Sequence, residues 1–179
     1  MENMMKRVIL LVVCIASFSG FNTQAKAQIE ASATTATATA HVIAVLTATE
    51  TSQLNFGRFS PETQGGKVLL TPDGARTAQG SVILGGGDHN SASFYITGEY
   101  DATFSITLPS GPALLTNVLN AKTMQVTDWQ SYPAPGIGVG KLTGGATTVR
   151  VGAVLNVGDM NANPVGIYTG IYAITFSYN

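Results

Sequence analysis

The 179-residue sequence contains one cysteine, two histidines and few charged residues, and each scarcity argues against a class of protein. The cysteine, Cys14, lies in an N-terminal apolar run, so the rest of the chain has no thiol for a disulfide or a zinc site. Charged residues make up 11% of the chain, well below the ~25% that is usual in soluble proteins. Stability must therefore come from a hydrophobic core.

The first 27 residues have the three parts of a secretory signal peptide. A basic pair, Lys6 and Arg7, precedes an apolar run over residues 8–18, and small residues at Ala25 and Ala27 follow. The run is shorter than the ~20 apolar residues that cross a bilayer. The sequence therefore predicts cleavage after Ala27 and an exported protein, secreted or on the cell surface, with no membrane span.

The predicted mature chain, residues 28–179, has a length that suits a single domain. It holds six basic and nine acidic residues, a net charge of about −3, and no basic cluster, so nucleic acid is not an expected partner. Residues 28–40 are almost entirely Ala and Thr and have too little apolar bulk to form a core. They predict an N-terminal arm that is either a donor strand or a tether, followed by one domain over residues 41–179.

Residues 41–179 carry repeated β-strand signals bounded by Gly, Pro, Asn or Asp. Apolar and polar residues alternate over 91–97 and 102–108, which we expect to form a hairpin, and over 147–157 and 166–179. Seven to nine such strands predict an all-β protein with an immunoglobulin-like antiparallel β-sandwich.

Several segments have weaker patterns. Residues 41–48 are apolar on both faces, which favours a strand buried on both sides, and residues 53–59 continue it as a short extension. Residues 113–119 follow a proline and favour about one turn of helix. Residues 132–141 are rich in Pro and Gly and favour a loop.

Residues with catalytic or metal-binding potential are sparse and badly spaced. His89 lies in a glycine-rich loop, but no G-x-S-x-G turn presents a nucleophile. Residues 159–163 open like a calcium loop but lack the Gly and the Glu that the motif needs further on, so an Asx-rich turn is expected. The sequence predicts no enzyme, no metal and no cofactor.

Two aromatic residues, Trp129 and Tyr132, are candidates for stacking on a sugar ring if they are exposed. The simpler interpretation is that Trp129 fills the core and that Tyr132 is an ordinary strand residue.

The C-terminal segment is the most informative part of the chain. A sandwich that ends on a strong strand can leave a sheet edge with unpaired backbone groups, where a segment of another subunit can add a strand. The residues expected to form this assembly strand are Gly166, Tyr168, Tyr172, Ile174, Phe176 and Tyr178.

The segment from Gly166, fourteenth from the end, to the penultimate Tyr178 resembles the C-terminal pattern of chaperone–usher pilins. Residues 164–170 also resemble the closing P-x-G-x-Y of spore-coat-U-like secreted fimbrial proteins. Residues 54–57 (LNFG), 71–76 (TPDGAR) and 151–158 resemble an uncharacterised bacterial family of exported β-domains, a likeness that covers most of residues 40–179. These resemblances imply a fimbrial-like surface subunit, with other copies or related subunits and a periplasmic chaperone as partners.

Two functions thus remain open from the sequence. The first is a structural surface subunit that assembles through β-strand complementation. The alternative is a self-complete secreted β-sandwich that binds a glycan or another surface protein.

Overall fold

The computed structural model describes residues 33–179, and the predicted signal peptide (1–27) and the first five residues of the arm lie outside them. Residues 33–40 have no regular structure, and His41–Asn179 form a compact unit. The strands are β1 (Thr47–Ser52), β2 (Phe59–Leu70), β3 (Arg76–Leu84), β4 (Ala92–Thr97), β5 (Thr103–Thr107), β6 (Ala113–Asn117), β7 (Thr123–Tyr132), β8 (Gly136–Lys141), β9 (Ala146–Val157), β10 (Tyr168–Thr169) and β11 (Thr175–Tyr178). Residues 33–179 contain no helix, and thus none able to cross a membrane.

The strands form two antiparallel sheets, which confirms the predicted all-β sandwich class. The larger sheet has eight strands in the order β1-β4-β9-β7-β6-β10, with β2 and β3 joined to it through β9. One edge of β9 pairs with β7, and its other edge pairs first with β4 and then with β2. The smaller sheet has the order β11-β5-β8.

The core consists of two apolar clusters. Cluster one lies where β2, β7 and the second half of β9 meet, and it contains Phe56, Val68, Leu70, Val82, Met124, Val126, Ala153, Leu155 and Val157. Cluster two lies between the smaller sheet and β4 with the first half of β9, and it contains Ala92, Ile96, Phe104, Ile106, Leu142, Val149 and Val151. Leu54 and Trp129 contact both clusters.

The segments with clear alternation form strands as predicted. In β4 and β5 the apolar side chains of Ala92, Ile96, Phe104 and Ile106 are buried and their neighbours are more exposed. Residues 71–74 form a turn, in which the Gly74 N–H donates to the Thr71 carbonyl at 2.9 Å.

The expected hairpin between residues 91–97 and 102–108 is wrong. β4 pairs with β1 and β9 in the larger sheet, whereas β5 pairs with β8 and β11 in the smaller one. The four residues 98–101 thus cross from one sheet to the other. Alternation identified each strand but could not identify its partner, because both faces of a sandwich produce the same pattern.

The expected strand over residues 41–48, buried on both faces, is also wrong. β1 begins only at Thr47, and Val42 and Val45 are 92% and 81% exposed. The segment 53–58 forms no strand either, apart from one bridge between Asn55 and Asn90. Both segments have β propensity, but among residues 33–179 neither has a neighbouring strand to complete a ladder along its length.

Two further predictions are overturned. Residues 113–117 form strand β6 instead of a helical turn, because they pair with β7 and β10. Residues 136–141 form strand β8 instead of a loop. Glycine is needed in this strand, since a Cβ on Gly140 would lie 2.3 Å from the buried Phe104 ring.

The C-terminal segment 166–179 is not one continuous strand. β10 pairs with β6 in the larger sheet, and β11 pairs with β5 in the smaller sheet. The five residues between them, 170–174, pair with neither sheet. The segment therefore passes from one layer of the sandwich to the other.

Candidate functional site

A groove of about 1,580 Å³ runs along one side of the domain. One wall is the segment 53–61 that follows β1, and the other is the C-terminal segment 164–174 with Phe176. Its floor is apolar and includes Phe56, Leu115, Met124, Val126 and Leu155, most of which belong to cluster one. The smaller sheet covers cluster two, so the groove lies over the part of the core that this sheet leaves uncovered.

The groove lies between the two ends of the larger sheet. β1 and β10 are the first and last strands of its main path, and residues of both line the groove. Five successive antiparallel pairings separate them, so β1 and β10 run in opposite directions. Edge strands present unpaired N–H and C=O groups, and here two such edges border one apolar space.

The first wall is fixed by side chains that bind its backbone. The Asn55 side-chain oxygen accepts a hydrogen bond from the Gly57 N–H at 2.8 Å. The Arg76 guanidinium donates to the Phe56 carbonyl at 2.9 Å. The Asn90 side-chain amide donates to the Gln53 carbonyl at 2.6 Å. Side chains therefore hold residues 53–58 of this wall in place, although these residues belong to no strand.

The second wall places an aromatic pair in the groove. The rings of Tyr172 and Trp129 stack with centroids 4.7 Å apart, and the indole N–H donates to the Gly111 carbonyl at 3.3 Å. The Tyr172 hydroxyl is the one buried side-chain polar atom among the described residues that has no hydrogen-bond partner. Burial, with a smaller contribution from the Glu50 carboxylate, raises the pKa of Tyr172 to about 12. This hydroxyl is therefore a neutral donor without an acceptor at neutral pH.

At one end of the groove, Tyr178 connects the C-terminus to the residues before β1. Its hydroxyl accepts from the Glu99 N–H at 2.6 Å and donates to the Ala44 carbonyl at 2.9 Å. The Ala44 N–H donates to the Glu99 carboxylate at 2.8 Å. A Cβ on Gly98 would lie 2.2 Å from the tyrosine hydroxyl, so a glycine is required beside it.

At the other end, buried asparagines fix the start of the second wall. The Asn163 side chain accepts from the Gly158 N–H at 2.5 Å and donates to the Thr123 carbonyl at 2.9 Å. Gly166, which has a positive φ, lies close to Asn117. A Cβ added to Gly166 would lie 2.3 Å from the side-chain amide of Asn117. Three exposed apolar side chains line the groove at this end: Met160, Val165 and Ile167.

Five of the six predicted assembly-strand residues are more buried than their neighbours, although they do not lie on one strand. Tyr168, Tyr172, Ile174, Phe176 and Tyr178 are each partly buried, while Ile171 and Ala173 between them are exposed. All but Tyr178 line the groove, as does Gly166. The second wall of the groove therefore includes five of the six predicted residues.

The two candidate glycan-binding aromatics are not brought together. Trp129 stacks on Tyr172 and contacts both core clusters, whereas Tyr132 is 72% exposed and does not line the groove. They form no shared flat surface for a sugar ring. The interpretation of Trp129 as a core residue is therefore the better one.

The first wall was not identified as part of a site from the sequence. Residues 53–58 looked like a strand extension, although the LNFG motif within them contains the wall residues Leu54, Asn55 and Phe56. The positive φ of Gly57 marks the point where the wall departs from strand geometry. The sequence contains one signal of this wall, which is the Asn two residues before the Gly in the LNFG motif.

The chemistry of the groove suits backbone and apolar contacts. Its charged lining residues are Glu50 and Arg58. Residues 33–179 contain no group of three or more His, Cys, Asp or Glu side chains that could hold a metal ion. The Asp159 carboxylate instead accepts from the N–H groups of Asn161 and Ala162, as expected for an Asx-rich turn.

Comparison with known proteins adds a family assignment. No curated protein matches the chain. A family model described as a domain of unknown function, DUF4402, matches residues 46–178, which include both walls of the groove and nearly all of the sandwich. The chain therefore belongs to the DUF4402 family.

Proposed function

We propose that this protein is an exported structural subunit of a cell-surface assembly and that its groove receives a β-strand from another polypeptide. The observation that carries the proposal is the pair of unpaired sheet edges, β1 and β10, that border one apolar groove. An inserted strand gains main-chain hydrogen bonds on both sides and buries alternate side chains on the floor.

The size and lining of the groove favour a peptide over a small ligand. Its volume of about 1,580 Å³ exceeds the ~300–1,000 Å³ that is usual for small-molecule sites. Small-molecule sites also place a few convergent polar groups at a fixed point, whereas this groove is bordered on both sides by backbone segments, residues 53–58 and 170–174, that belong to no strand. A strand uses such a surface along its whole length.

The energy of strand addition depends on the donor side chains. Each large apolar side chain docked on the floor contributes roughly 1.5–3 kcal/mol, and an added methylene contributes about 0.8 kcal/mol. Ordering a flexible donor offsets about 2–5 kcal/mol of that gain. A donor with several apolar residues at alternate positions is therefore needed for a stable complex.

The resemblance of residues 166–178 to chaperone–usher pilins and spore-coat-U-like proteins supports the same proposal and extends it. It implies export and a periplasmic chaperone that occupies the groove before assembly. Chaperone binding and subunit assembly require the same chemistry, since each partner supplies one strand to the groove.

Hydrogen exchange on the full chain tests strand addition directly. If assembled material contains an inserted strand, the amides of β1 and residues 53–58 on one side, and of β10 and residues 170–174 on the other, exchange more slowly than in the dissociated protein. Amides of β8, on the far edge of the smaller sheet, serve as an internal reference. Assemblies in which neither wall becomes protected would contradict the proposal.

A matched pair of substitutions also tests strand addition, with the mass of the assemblies as the measured quantity. Ile171 and Ile137 are 92% and 88% exposed, but only Ile171 lines the groove. Ile171→Lys should weaken assembly about tenfold or more, since an inserted strand would desolvate the ammonium group; a factor of ten corresponds to about 1.4 kcal/mol. Ile137→Lys should leave assembly unchanged, and equal effects of the two variants would exclude the groove as the assembly site.

A further inference from the structure

We propose that a second copy of this chain docks on the outer face of strands β6 and β10, so that two subunits lie side by side about a two-fold axis. The docking surface, here called the outer strip, consists of five exposed apolar side chains: Leu114, Val118, Leu119, Val165 and Ile167. The contact is separate from the strand-acceptor function proposed above, and it forms whether or not a strand enters the groove.

The pairing of β6 with β10 brings the members of the outer strip together. The two strands are antiparallel neighbours, and their ladder continues past β6 because the Val118 N–H donates to the Ile167 carbonyl at 3.2 Å. Successive side chains of a strand point to opposite faces of the sheet. Ala113 and Leu115 pack against cluster one, so Leu114 between them points away from the core and is 50% exposed.

The outer strip is an apolar region on a sheet face that is otherwise polar. A solvent-facing sheet surface ordinarily carries polar side chains. The neighbouring strand β7 has them, since the exposed Gln125 lies opposite Leu114 and the exposed Thr123 lies opposite Thr116. The strip itself contains no charged residue. An exposed group of large apolar side chains with a polar border is typical of a contact with a protein or a membrane.

The composition of the outer strip favours a protein over a lipid surface. Segments that lie on membranes usually combine their apolar residues with Lys or Arg and with Trp or Phe. The strip has no aromatic residue, and Lys122 is the one basic residue within five positions of any member in the sequence. The predicted mature chain also has a net charge of about −3, which anionic headgroups would repel.

The lack of charge also favours a second copy over an unrelated partner. A two-fold contact places the same surface on both sides, so a charged residue near the axis would face its own like charge. A surface without charge avoids this repulsion. The methyl-rich side chains of the outer strip therefore suit contact with themselves.

The area of the outer strip is sufficient for a specific dimer. A fully exposed aliphatic side chain presents on the order of 100 Å² of apolar surface. The five members are 50–95% exposed, so together they present roughly 400 Å². Interfaces are about 57% apolar, which implies a contact of roughly 700 Å² per copy, or ~1,400 Å² in total. This value lies in the lower part of the ~1,200–2,000 Å² range for specific interfaces.

Strand addition leaves most of the outer strip free. Leu114, Val118 and Leu119 do not line the groove, whereas Val165 and Ile167 lie at its rim. An inserted strand would cover the groove floor and leave the first three side chains exposed. Subunits that are already joined through their grooves could therefore pair laterally, and many such contacts along an assembly would strengthen one another.

A charge exchange at Val118 tests the contact, because Val118 lies near the middle of the outer strip and is 64% exposed. In full chains, Val118→Asp and Val118→Lys should each raise the dimer dissociation constant about tenfold or more, since like charges then meet across the axis. An equal mixture of the two variants should bring the constant back to within about threefold of the unmodified chain. Sedimentation velocity of dissociated chains over a concentration series measures it.

The matched control places the same two charges at Ile137, which is 88% exposed in β8 of the other sheet. Ile137→Asp and Ile137→Lys, alone or mixed, should change the dissociation constant less than threefold. Equal effects at the two positions would overturn the proposed docking surface. Both positions are exposed, so all four variants should keep the circular-dichroism spectrum of the unmodified chain.

Three further outcomes would overturn the inference. One is an unmodified chain that stays monomeric up to a concentration of ~1 mM. Another is loss of association in both Val118 variants without recovery in their mixture, which would mean that the outer strip faces a different surface. A third is binding of monomeric chains to phosphatidylcholine vesicles that both variants abolish, which would identify a lipid surface as the partner.

Amide exchange separates this inference from the strand-acceptor function. β1 lies at the opposite end of the larger sheet from β10, so protection of its amides reports strand addition and not docking on the outer strip. Protection of β1 in assemblies without charge-dependent pairing at Val118 would overturn the inference alone. Charge-dependent pairing without protection of β1 in any assembly would support the inference and contradict the strand-acceptor function.

Discussion

The Arg76 guanidinium donates hydrogen bonds to the backbone carbonyls of Phe56, at 2.9 Å, and Gly85, at 2.7 Å. Arg76 opens β3 and ends the TPDGAR motif, while Phe56 belongs to the LNFG motif in the first wall of the groove. Two sequence motifs that are distant in the chain are therefore joined by one side chain. Arg76 does not line the groove itself, so it acts as a positioning residue for the wall.

Replacement of Arg76 tests this connection. Arg76→Met keeps the aliphatic stem but leaves two partly buried carbonyls without their donor, so the free energy of unfolding should fall by about 1–3 kcal/mol. Urea denaturation of the full chain measures the change. Arg150→Met is the matched control, because Arg150 is exposed, and its effect should stay within about 0.5 kcal/mol. Equal losses of unfolding free energy in both variants would mean that removal of a positive charge, and not loss of the bonds to the wall, causes the destabilisation.

Gly140 in β8 illustrates a glycine that packing requires. A Cβ at this position would lie 2.3–2.5 Å from three atoms of the Phe104 ring, which is fully buried in cluster two. Gly140→Ala should therefore destabilise the fold by about 1–3 kcal/mol through overpacking. Thermal unfolding monitored by circular dichroism measures it. Gly86→Ala, where a Cβ meets nothing within 4 Å, should cost less than about 1 kcal/mol.

Alternation in the sequence predicted the strands that pack across the sandwich. In β9, Val149, Val151, Ala153, Leu155 and Val157 are all buried, and the Asx-rich turn after it also forms. These features depend on the spacing of apolar and turn-forming residues along the chain, which can be read directly from the sequence. The same spacing indicated which side chains of the C-terminal segment are the more buried ones.

Pairing and edge effects could not be predicted in the same way. The expected hairpin of β4 and β5 failed because each strand joins a different sheet. The glycine-rich segment 136–141 is a strand because it pairs with β5, where Gly140 lies opposite Phe104. Residues 41–46 have strong β propensity but pair with no strand among the described residues. Each depends on what lies alongside a segment, and a single sequence does not contain that information.

The hydroxyl of Tyr178 should stabilise the residues before β1. Tyr178→Phe removes the donor to the Ala44 carbonyl and leaves the Glu99 N–H without its acceptor. We expect a loss of about 1–2 kcal/mol in the free energy of unfolding. Faster amide exchange should appear at residues 44–46, measured by mass spectrometry. Tyr132→Phe, at an exposed tyrosine, should change neither quantity, and unchanged exchange in Tyr178→Phe would show that other contacts hold the segment.

The buried Tyr172 hydroxyl should make the protein less stable in alkaline solution. Burial, with the Glu50 carboxylate as a smaller cause, raises the pKa of Tyr172 to about 12 in the folded chain, whereas an unfolded tyrosine has a pKa of about 10. The folded state thus favours the protonated form, and this contribution to stability is fully present below pH ~10 and is lost as the pH rises toward ~12.

Denaturation by urea at several alkaline pH values measures the effect. Tyr172→Phe cannot ionise, so its stability should decline less between pH ~10 and ~12 than that of the unmodified chain. Phenolate absorbance should show one fewer late-titrating tyrosine in this variant, and Tyr100→Phe, at an exposed tyrosine, should retain it. If the stability of both variants declines in parallel with that of the unmodified chain, the environment of the Tyr172 hydroxyl does not disfavour its ionised form.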